Sequence, residues 1–373
     1  LKHLQLVVGL VALVFTALSI ADDGEPPSQL ADLLGAEADA GFARALEPRK
    51  FAFPADHGPH PAFRNEWWYV TGNLDDEDGK RFGFELTMFR FALAPSISES
   101  KSQWRTRQVY IAHLTVTHVE DERFYVAQRY SRGALGLADA QAAPFKVWID
   151  DWSIAEQPDS DSWRLSASDN DFGIDVELRA LQPPTLNGID GLSQKSADPG
   201  NASYYYSITR LGTEGTIRIG ERDYKVSGLS WFDREWSTSS LAADQVGWDW
   251  FALQLADGSD LMFYGLRKKD GTQDAASAGT FLSENGTTAH LDADDVELTV
   301  LDTWESPQGG TYPSKWRLAV PQFGLDVTVT PVMSNQELFT TVRYWEGAVD
   351  VEGKHDGSNI TGRGYVELAG YAQ

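Results

Sequence analysis

The sequence predicts an all-β protein made of two tandem antiparallel domains, each a barrel or a sandwich, related by internal duplication. Three observations carry this. The first is a repeat. Trp67-Trp68-Tyr69-Val70-Thr71-Gly72-Asn73-Leu74 aligns without a gap on Trp248-Asp249-Trp250-Phe251-Ala252-Leu253-Gln254-Leu255, and acidic-Gly turns follow at Asp78-Gly79 and Asp257-Gly258. Trp163-Arg164-Leu165 and Phe172-Gly173-Ile174-Asp175-Val176 recur as Trp316-Arg317-Leu318 and Phe323-Gly324-Leu325-Asp326-Val327. Val226-Ser227-Gly228 with Trp231 recurs as Ile360-Thr361-Gly362 with Tyr365. One aromatic run resembles another, but three in the same order require a duplication, and units of this length have cores of their own. The second observation is period-two alternation of apolar residues along most segments. The third is composition: 13 Trp, 13 Tyr, 18 Phe and 33 Gly favour strands joined by tight turns.

Taken in order, the chain opens with Lys2, an apolar run from Leu4 to Leu18, and Ser19-Ile20-Ala21. That is the form of a signal peptide cleaved after Ala21, so export to a bacterial periplasm or beyond is expected. The apolar run is short for a bilayer span. Leu30, Leu33, Leu34, Phe42 and Leu46 have helical spacing, which Pro48 ends. Beyond it, Trp68, Val70, Gly72 and Leu74 alternate with Trp67, Tyr69, Thr71 and Asn73. Phe82, Phe84, Leu86 and Met88 share one face of the next strand, after a hairpin loop at Asp75–Lys80. Further strands are expected at Val109–Val119, Phe145–Ile149, Trp163–Ser168, Ile174–Leu178, Tyr204–Arg210 and Tyr224–Trp231. The second copy repeats the pattern at Trp248–Leu255, Leu261–Arg267, Val296–Trp304, Trp316–Val320, Leu325–Thr330, Tyr344–Val351 and Ile360–Leu368. Pro183-Pro184 and the aperiodic Ser193–Asn201 read as loops, the latter as a mobile one. The division expected is 1–21 signal peptide, 22–48 linker and short helix, 49–240 first domain and 241–373 second domain.

A net charge of −24 makes nucleic acid a poor partner, since phosphate binding needs concentrated Lys and Arg. With no cysteine there is no disulfide, thiolate metal site, Cys nucleophile or lipid-modified Cys. A Gly-rich phosphate loop, a Rossmann fingerprint and a GxSxG elbow are also missing. No cofactor is expected.

Chemistry concentrates in two clusters. His57-Gly58-Pro59-His60-Pro61 leads into Arg64-Asn65-Glu66-Trp67-Trp68-Tyr69. Two His and a Glu suggest a metal, but Gly-Pro between the His places them on a loop, so no metal site is expected. The cluster reads instead as a loop-locking network, or as a His–Glu acid–base pair beside an aromatic wall. The second cluster is Ser230-Trp231-Phe232-Asp233-Arg234-Glu235-Trp236-Ser237. Alternation puts Trp231, Asp233 and Glu235 on one face and Phe232, Arg234 and Trp236 on the other. It reads either as an interdomain ion-pair group or as a buried carboxylate tuned by Arg234. Tyr204-Tyr205-Tyr206-Ser207 could line a cavity or fill a core, Arg343 and Glu346 look like the second copy's counterpart of the charged cluster, and lone His113 fits a satisfied core position.

These residues bring a family into view. His57-Gly58-Pro59-His60-Pro61, Glu66–Gly72, Trp231–Ser237, Gln245-Val246-Gly247-Trp248-Asp249-Trp250-Phe251, Tyr344-Trp345-Glu346-Gly347 and Gly364-Tyr365-Val366-Glu367-Leu368 resemble the AttH-like family of secreted proteins, which is related to the carotenoid 1,2-hydratases. The resemblance covers the whole chain after Ala21. It implies two calycin-like (lipocalin-type) barrels, export, and the handling of lipid or isoprenoid molecules. The hydratase pattern itself is altered, with Arg234-Glu235-Trp236 standing where a His-x-Trp pair is expected.

The function expected is therefore that of an exported lipocalin-like protein with a hydrophobic ligand in a cavity of the first domain. An enzyme of hydratase or hydrolase type would use Asp233, Glu66 or His60 for acid catalysis, with Arg234 setting their charge. His57, Trp67, Trp68, Tyr69, His113, Tyr205, Tyr206, Trp231, Trp236, Trp248, Asp249 and Trp250 are the candidate ligand-binding residues. The alternatives are a non-enzymatic carrier, an accessory to an envelope ABC exporter of lipids or lipoproteins, and a carbohydrate-binding protein. Buried Trp would mark a lipid-type pocket and an exposed Trp row a sugar platform.

Overall fold

The computed structural model describes residues 28–29, 41–96, 102–239 and 241–371. Of the elements expected before residue 49, the signal peptide and most of the helix lie outside these residues; Ser28–Gln29 form a strand, and 41–48 carry no helix.

The strands number as follows in chain order. β1 (Ser28–Gln29) joins the second sheet. The first sheet holds β2 (Asn65–Asp76), β3 (Arg81–Ala92), β4 (Gln108–His118), β5 (Arg123–Arg132), β6 (Ala138–Ala142), β7 (Phe145–Ile149), β8 (Trp152–Glu156), β9 (Ser162–Ser168), β10 (Phe172–Ala180), β11 (Thr185–Leu186), β12 (Leu192–Gln194), β13 (Ala202–Ile219) and β14 (Arg222–Ser237). The second holds β15 (Gln245–Leu255), β16 (Asp260–Lys268), β17 (Ala278–Leu282), β18 (Thr288–Asp292), β19 (Glu297–Glu305), β20 (Thr311–Val320), β21 (Leu325–Pro331), β22 (Glu337–Phe339), β23 (Val342–His355) and β24 (Ser358–Ala369).

The first sheet runs β5-β4-β3-β2-β14-β13-β10-β9-β8-β7-β6 and the second β18-β17-β16-β15-β24-β23-β21-β20-β19. All these neighbours are antiparallel, while β1 lies parallel to β23. The first sheet curls until β7 lies against β3, β4 and β5, giving a nearly closed barrel; the second is a half-barrel. The additional β6–β7 hairpin of the first copy is what brings its two ends together.

The duplication holds to the level of register. Leu74 pairs with Gly228 as Leu255 pairs with Gly362, and Leu165 pairs with Val176 as Leu318 pairs with Val327. Even a cross-strand ion pair is repeated, Arg164–Asp175 at 2.7 Å and Arg317–Asp326 at 2.8 Å. Ser207 faces Asp233 as Glu346 faces Glu367, so Arg343 and Glu346 belong to the counterpart of β13 and not, as expected, of the charged cluster on β14.

Alternation decides which side chains fill each barrel. Trp68, Val70 and Leu74 of β2 join Phe82, Phe84, Leu86 and Met88 of β3 in the first core. Phe251, Leu253 and Leu255 of β15 join Trp316 and Leu318 in the second. The opposite faces of the same strands are also aromatic. Tyr69 of β2 and Trp231 of β14 pack against Trp250 and Tyr365, so the two sheets meet across a third apolar cluster.

Several segments depart from the sequence reading. β13 and β14 are longer than expected, because their aromatic and charged ends pair with each other and with β2. β5, β6, β8, β17 and β18 are strands that the apolar pattern did not reveal; β5 is largely half-exposed, so its alternation is weak. The segment expected to be a mobile loop is pinned. Lys195, Ser196 and Asn201 are buried, Gln245 Nε2 donates to the Lys195 carbonyl at 2.7 Å, and Asn201 Nδ2 donates to Ser196 Oγ at 2.8 Å.

Candidate functional site

Face alternation splits the candidate residues into two groups that do not meet. One group seals the interior of the first barrel. The segment carrying Asp56, His57 and His60 folds into the barrel mouth, where Tyr206 OH and His57 Nδ1 lie 2.6 Å apart and Trp68 Nε1 donates to the His57 carbonyl at 2.8 Å. Gly58 is required here, since a Cβ would stand 2.4 Å from Ala142 Cβ on β6. His60 stacks on Trp236 with ring centroids 3.7 Å apart, and its Nε2 lies 3.0 Å from Asp56.

Beneath this plug, the Glu66 carboxylate lies between Arg234 and Arg90, both in direct contact, and accepts the His60 backbone N–H at 2.9 Å. Burial alone would raise the Glu66 carboxyl, but Arg234 and Arg90 outweigh it and hold the group well below the usual carboxylate range. Burial and Arg234 push His57 down to about 4, so it is neutral. Arg234 also donates to the carbonyls of Gly58 at 2.7 Å and Glu235 at 3.0 Å, and its guanidinium lies 4.0 Å over the Trp68 ring. Its carboxylate partner is thus Glu66 on the adjacent strand β2, not its chain neighbours Asp233 or Glu235. Glu66, Arg234, Trp68, Tyr206 and Trp236 are fully buried, so this is the loop-locking network rather than an open site.

The second group lines a cavity, which lies between the two sheets and not inside the first domain as expected. About 80 Å³ of it is open to the centre of a water molecule. Trp67 and Tyr69 of β2, Thr87 and Phe89 of β3, and Tyr205, Asp233 and Glu235 face it from the first copy. Trp248 and Trp250 of β15, Tyr264 and Leu266 of β16, and Glu367 of β24 face it from the second. Lys195 and Leu241 close it over. Of the expected site residues, Trp67, Tyr69, Tyr205, Asp233, Trp248 and Trp250 are therefore together; Trp231 stands just behind them.

Asp233 is buried and receives three side-chain hydrogen bonds. It accepts from Tyr205 OH, from Ser207 Oγ at 2.6 Å and from Trp231 Nε1 at 2.6 Å, and Tyr205 OH accepts in turn from Trp250 Nε1 at 3.1 Å. Burial raises its carboxyl, the three donors oppose that, and the result is about 7. Glu235 lies 3.2 Å from the Lys195 ammonium, which itself rests 3.8 Å over the Tyr264 ring. Glu367 accepts from Trp248 Nε1 at 2.9 Å, and burial raises its carboxyl to about 8.

Two expected ligand residues lie elsewhere. Asp249 points to the opposite face of β15, where it meets Arg267 and accepts from Tyr371 OH at 2.9 Å. His113 is buried between the sheets, 2.6 Å from Tyr344 OH and 2.8 Å from Gln128, a satisfied position away from the cavity. Among the described residues there is no group of three or more His, Cys, Asp or Glu placed to hold a metal ion.

Sequence reasoning missed Lys195 and Glu367. Lys195 sits in an aperiodic segment without a signal. Glu367 had one: the repeat that matches Gly228 to Gly362 and Trp231 to Tyr365, carried two residues further, matches Asp233 to Glu367.

The cavity and fold can be set beside known proteins. The model of a family described as AttH-like matches residues 44–371. The crystal structure of a protein given as AttH from Nitrosomonas europaea superposes with a TM-score of 0.80 at 33% identity, covering 89% of this chain and 100% of that one. Kievitone hydratase from Nectria haematococca shares the fold at a TM-score of 0.67 and 15% identity, over 93% of this chain and 98% of its own. CghA with Sch210972 does so at 0.55 and 11%, over 92% and 98%. Among curated proteins no sequence match is found.

Proposed function

Because this chain belongs to the AttH-like family, we propose that its interdomain cavity takes a hydrophobic small molecule of lipid or isoprenoid type and performs hydratase-type acid catalysis on it. Export ahead of this function is part of the proposal and rests on the N-terminal pattern. The observation that carries the reading is a pair of carboxyl groups, Asp233 and Glu367, with values of about 7 and 8 in one aromatic-walled cavity. Carboxyls poised near neutrality are suited to giving and taking protons. Trp67, Trp248 and Trp250 present π systems that would stabilise a cation formed when an alkene carbon is protonated. Kievitone hydratase, a hydratase by name, shares the fold.

An apolar pocket without titratable groups would favour a carrier, whereas this cavity is lined by Lys195, Asp233, Glu235 and Glu367. A sugar platform needs a row of exposed Trp rings, whereas among the described residues Trp104 alone is largely exposed and it does not line the cavity. The test is mass spectrometry of organic extracts from protein purified out of its native envelope fraction, with 1-aminoanthracene titration of the delipidated protein. A recovered lipophile that displaces the dye supports the reading. An empty extract together with no dye binding, in wild type and in Trp248→Ala alike, refutes it.

A further inference from the structure

One charged pair on the cavity wall, Lys195 and Glu235, belongs to the first copy alone. β12 pairs with β13 as β22 pairs with β23, but the first connection spans 195–201 and the second only 340–341. The longer connection supplies Lys195. Glu235 faces Trp67 across β14 and β2, and the register equivalent of that pairing is Ala369 with Trp248. The second copy thus has a methyl group where the first has a carboxylate. Burying both charges is costly, and their side chains are only 8% and 6% exposed. Their mutual contact does not use them up. Lys195 Nζ lies 3.2 Å from Glu235 Oε1, yet Oε1 receives no well-directed hydrogen bond. The other close neighbour of the ammonium is a ring face, that of Tyr264, 3.8 Å away. An ammonium has three N–H donors and a carboxylate about four acceptor sites, so the pair keeps hydrogen-bonding capacity of both kinds. A hydroxyl matches it, because one oxygen accepts from the ammonium and its O–H donates to the carboxylate. A ketone or an ether offers nothing to Glu235. An anionic head group meets Asp233, Glu235 and Glu367 on the same wall, which outnumber Lys195.

We propose that Lys195 and Glu235 select a ligand with a free hydroxyl group, the ammonium donating to the hydroxyl oxygen and the hydroxyl donating to the carboxylate. The ligand class is a lipophilic alcohol, as opposed to a hydrocarbon, an ester or a fatty acid. This rests on the reading of the cavity as a site for a lipophile. A hydrocarbon in the same place would leave both charged groups without water and without a partner, which is where the selectivity comes from. Because the second copy lacks the pair, the hydroxyl has one place to go, and the ligand is held in one direction.

The test compares three compounds with one carbon skeleton, geraniol, geranyl methyl ether and geranic acid, by displacement of 1-aminoanthracene from the whole protein at neutral pH. Geraniol should bind about 10- to 100-fold more tightly than the ether, as expected of a hydrogen bond to a charged group, and more tightly than the acid. The double variant Lys195→Met/Glu235→Leu removes both charges and orphans neither. It should hold the ether as wild type does and geraniol no better than the ether. Equal binding of geraniol and the ether by wild type overturns the proposal whether or not the variant folds, since water then fills the pair. Undiminished preference for geraniol in the variant overturns it too, and so does tightest binding of geranic acid, which would mark an anion site. Bound dye that none of the three displaces overturns the hydroxyl selection and leaves the cavity reading standing. No dye binding at all, in wild type and in Trp248→Ala alike, overturns both.

Discussion

Among the described residues Glu66 is the sole carboxylate in contact with the buried guanidiniums of Arg90 and Arg234, and this sets an order of stabilities that an isolated ion pair would not have. Arg234, Arg90 and Glu66 are essentially without exposure, and neither Arg has another carboxylate partner among the described residues. Glu66→Gln therefore leaves two cations buried together. Losing one partner of a buried pair costs about 3–5 kcal/mol, and repulsion between the Args adds to this. For a domain of this size about 1 kcal/mol corresponds to about 2–4 °C, so the transition of the first barrel should fall by at least about 6–20 °C. Arg234→Met is milder. It leaves Glu66 paired with Arg90, and its main cost is the donor lost by the Gly58 carbonyl, about 1–3 kcal/mol. The double variant should be less stable than Arg234→Met, because Arg90 then loses its carboxylate. Urea unfolding with intrinsic Trp fluorescence measures all three. Glu66→Gln within about 1 kcal/mol of wild type, or rescue of Arg234→Met by Glu66→Gln, would refute the reasoning.

Three further outcomes are expected. Stability should fall as pH rises from 6.5 to 8, because Asp233 at about 7, Glu367 and Glu85 at about 8, and Glu346 well above its usual value hold protons that the unfolded chain has already lost. Each such proton contributes a slope of about −1.4 kcal/mol per pH unit. His57 at about 4 and His113 at about 3 act in the opposite sense, but only below the unfolded histidine value, so the fall should be shallower there. Calorimetry across pH checks this, and a flat profile above 6.5 in wild type counts against it. Gly58→Ala should destabilise by about 1–3 kcal/mol through overpacking against β6, seen in the same urea assay, and a neutral result would mean the plug does not seat against Ala142. EDTA should leave the melting temperature unchanged, and a marked drop would reveal a structural metal.

The fold was legible because alternation and duplication are both periodic signals. Pairs such as Leu74–Gly228 and Leu255–Gly362 obey the same register, so matched blocks in the sequence became matched strands. The cavity's location was not legible, and the reason lies in β2. Both of its faces are aromatic, Trp68 on one and Trp67 with Tyr69 on the other, so pattern alone could not say which face fills a barrel and which meets the second sheet. Glu66 and Asp233 each look like a buried acid in sequence. Only the pairing of β14 with β2 separates them, placing Arg234 inward towards Glu66 and Asp233 outward towards Tyr205.

The matched positions facing one another across the cavity have a historical consequence. Trp67 and Trp248, Tyr69 and Trp250, Thr87 and Tyr264, and Asp233 and Glu367 are register equivalents that meet on one surface. That is the arrangement an ancestral homodimer would have through a two-fold axis, with every lining residue present twice. In such a dimer a substitution changes both walls at once, so the two walls cannot differ. Joining the two genes end to end lifts that constraint. Each wall then drifts alone, and a symmetric cleft becomes one that can tell the two ends of a ligand apart.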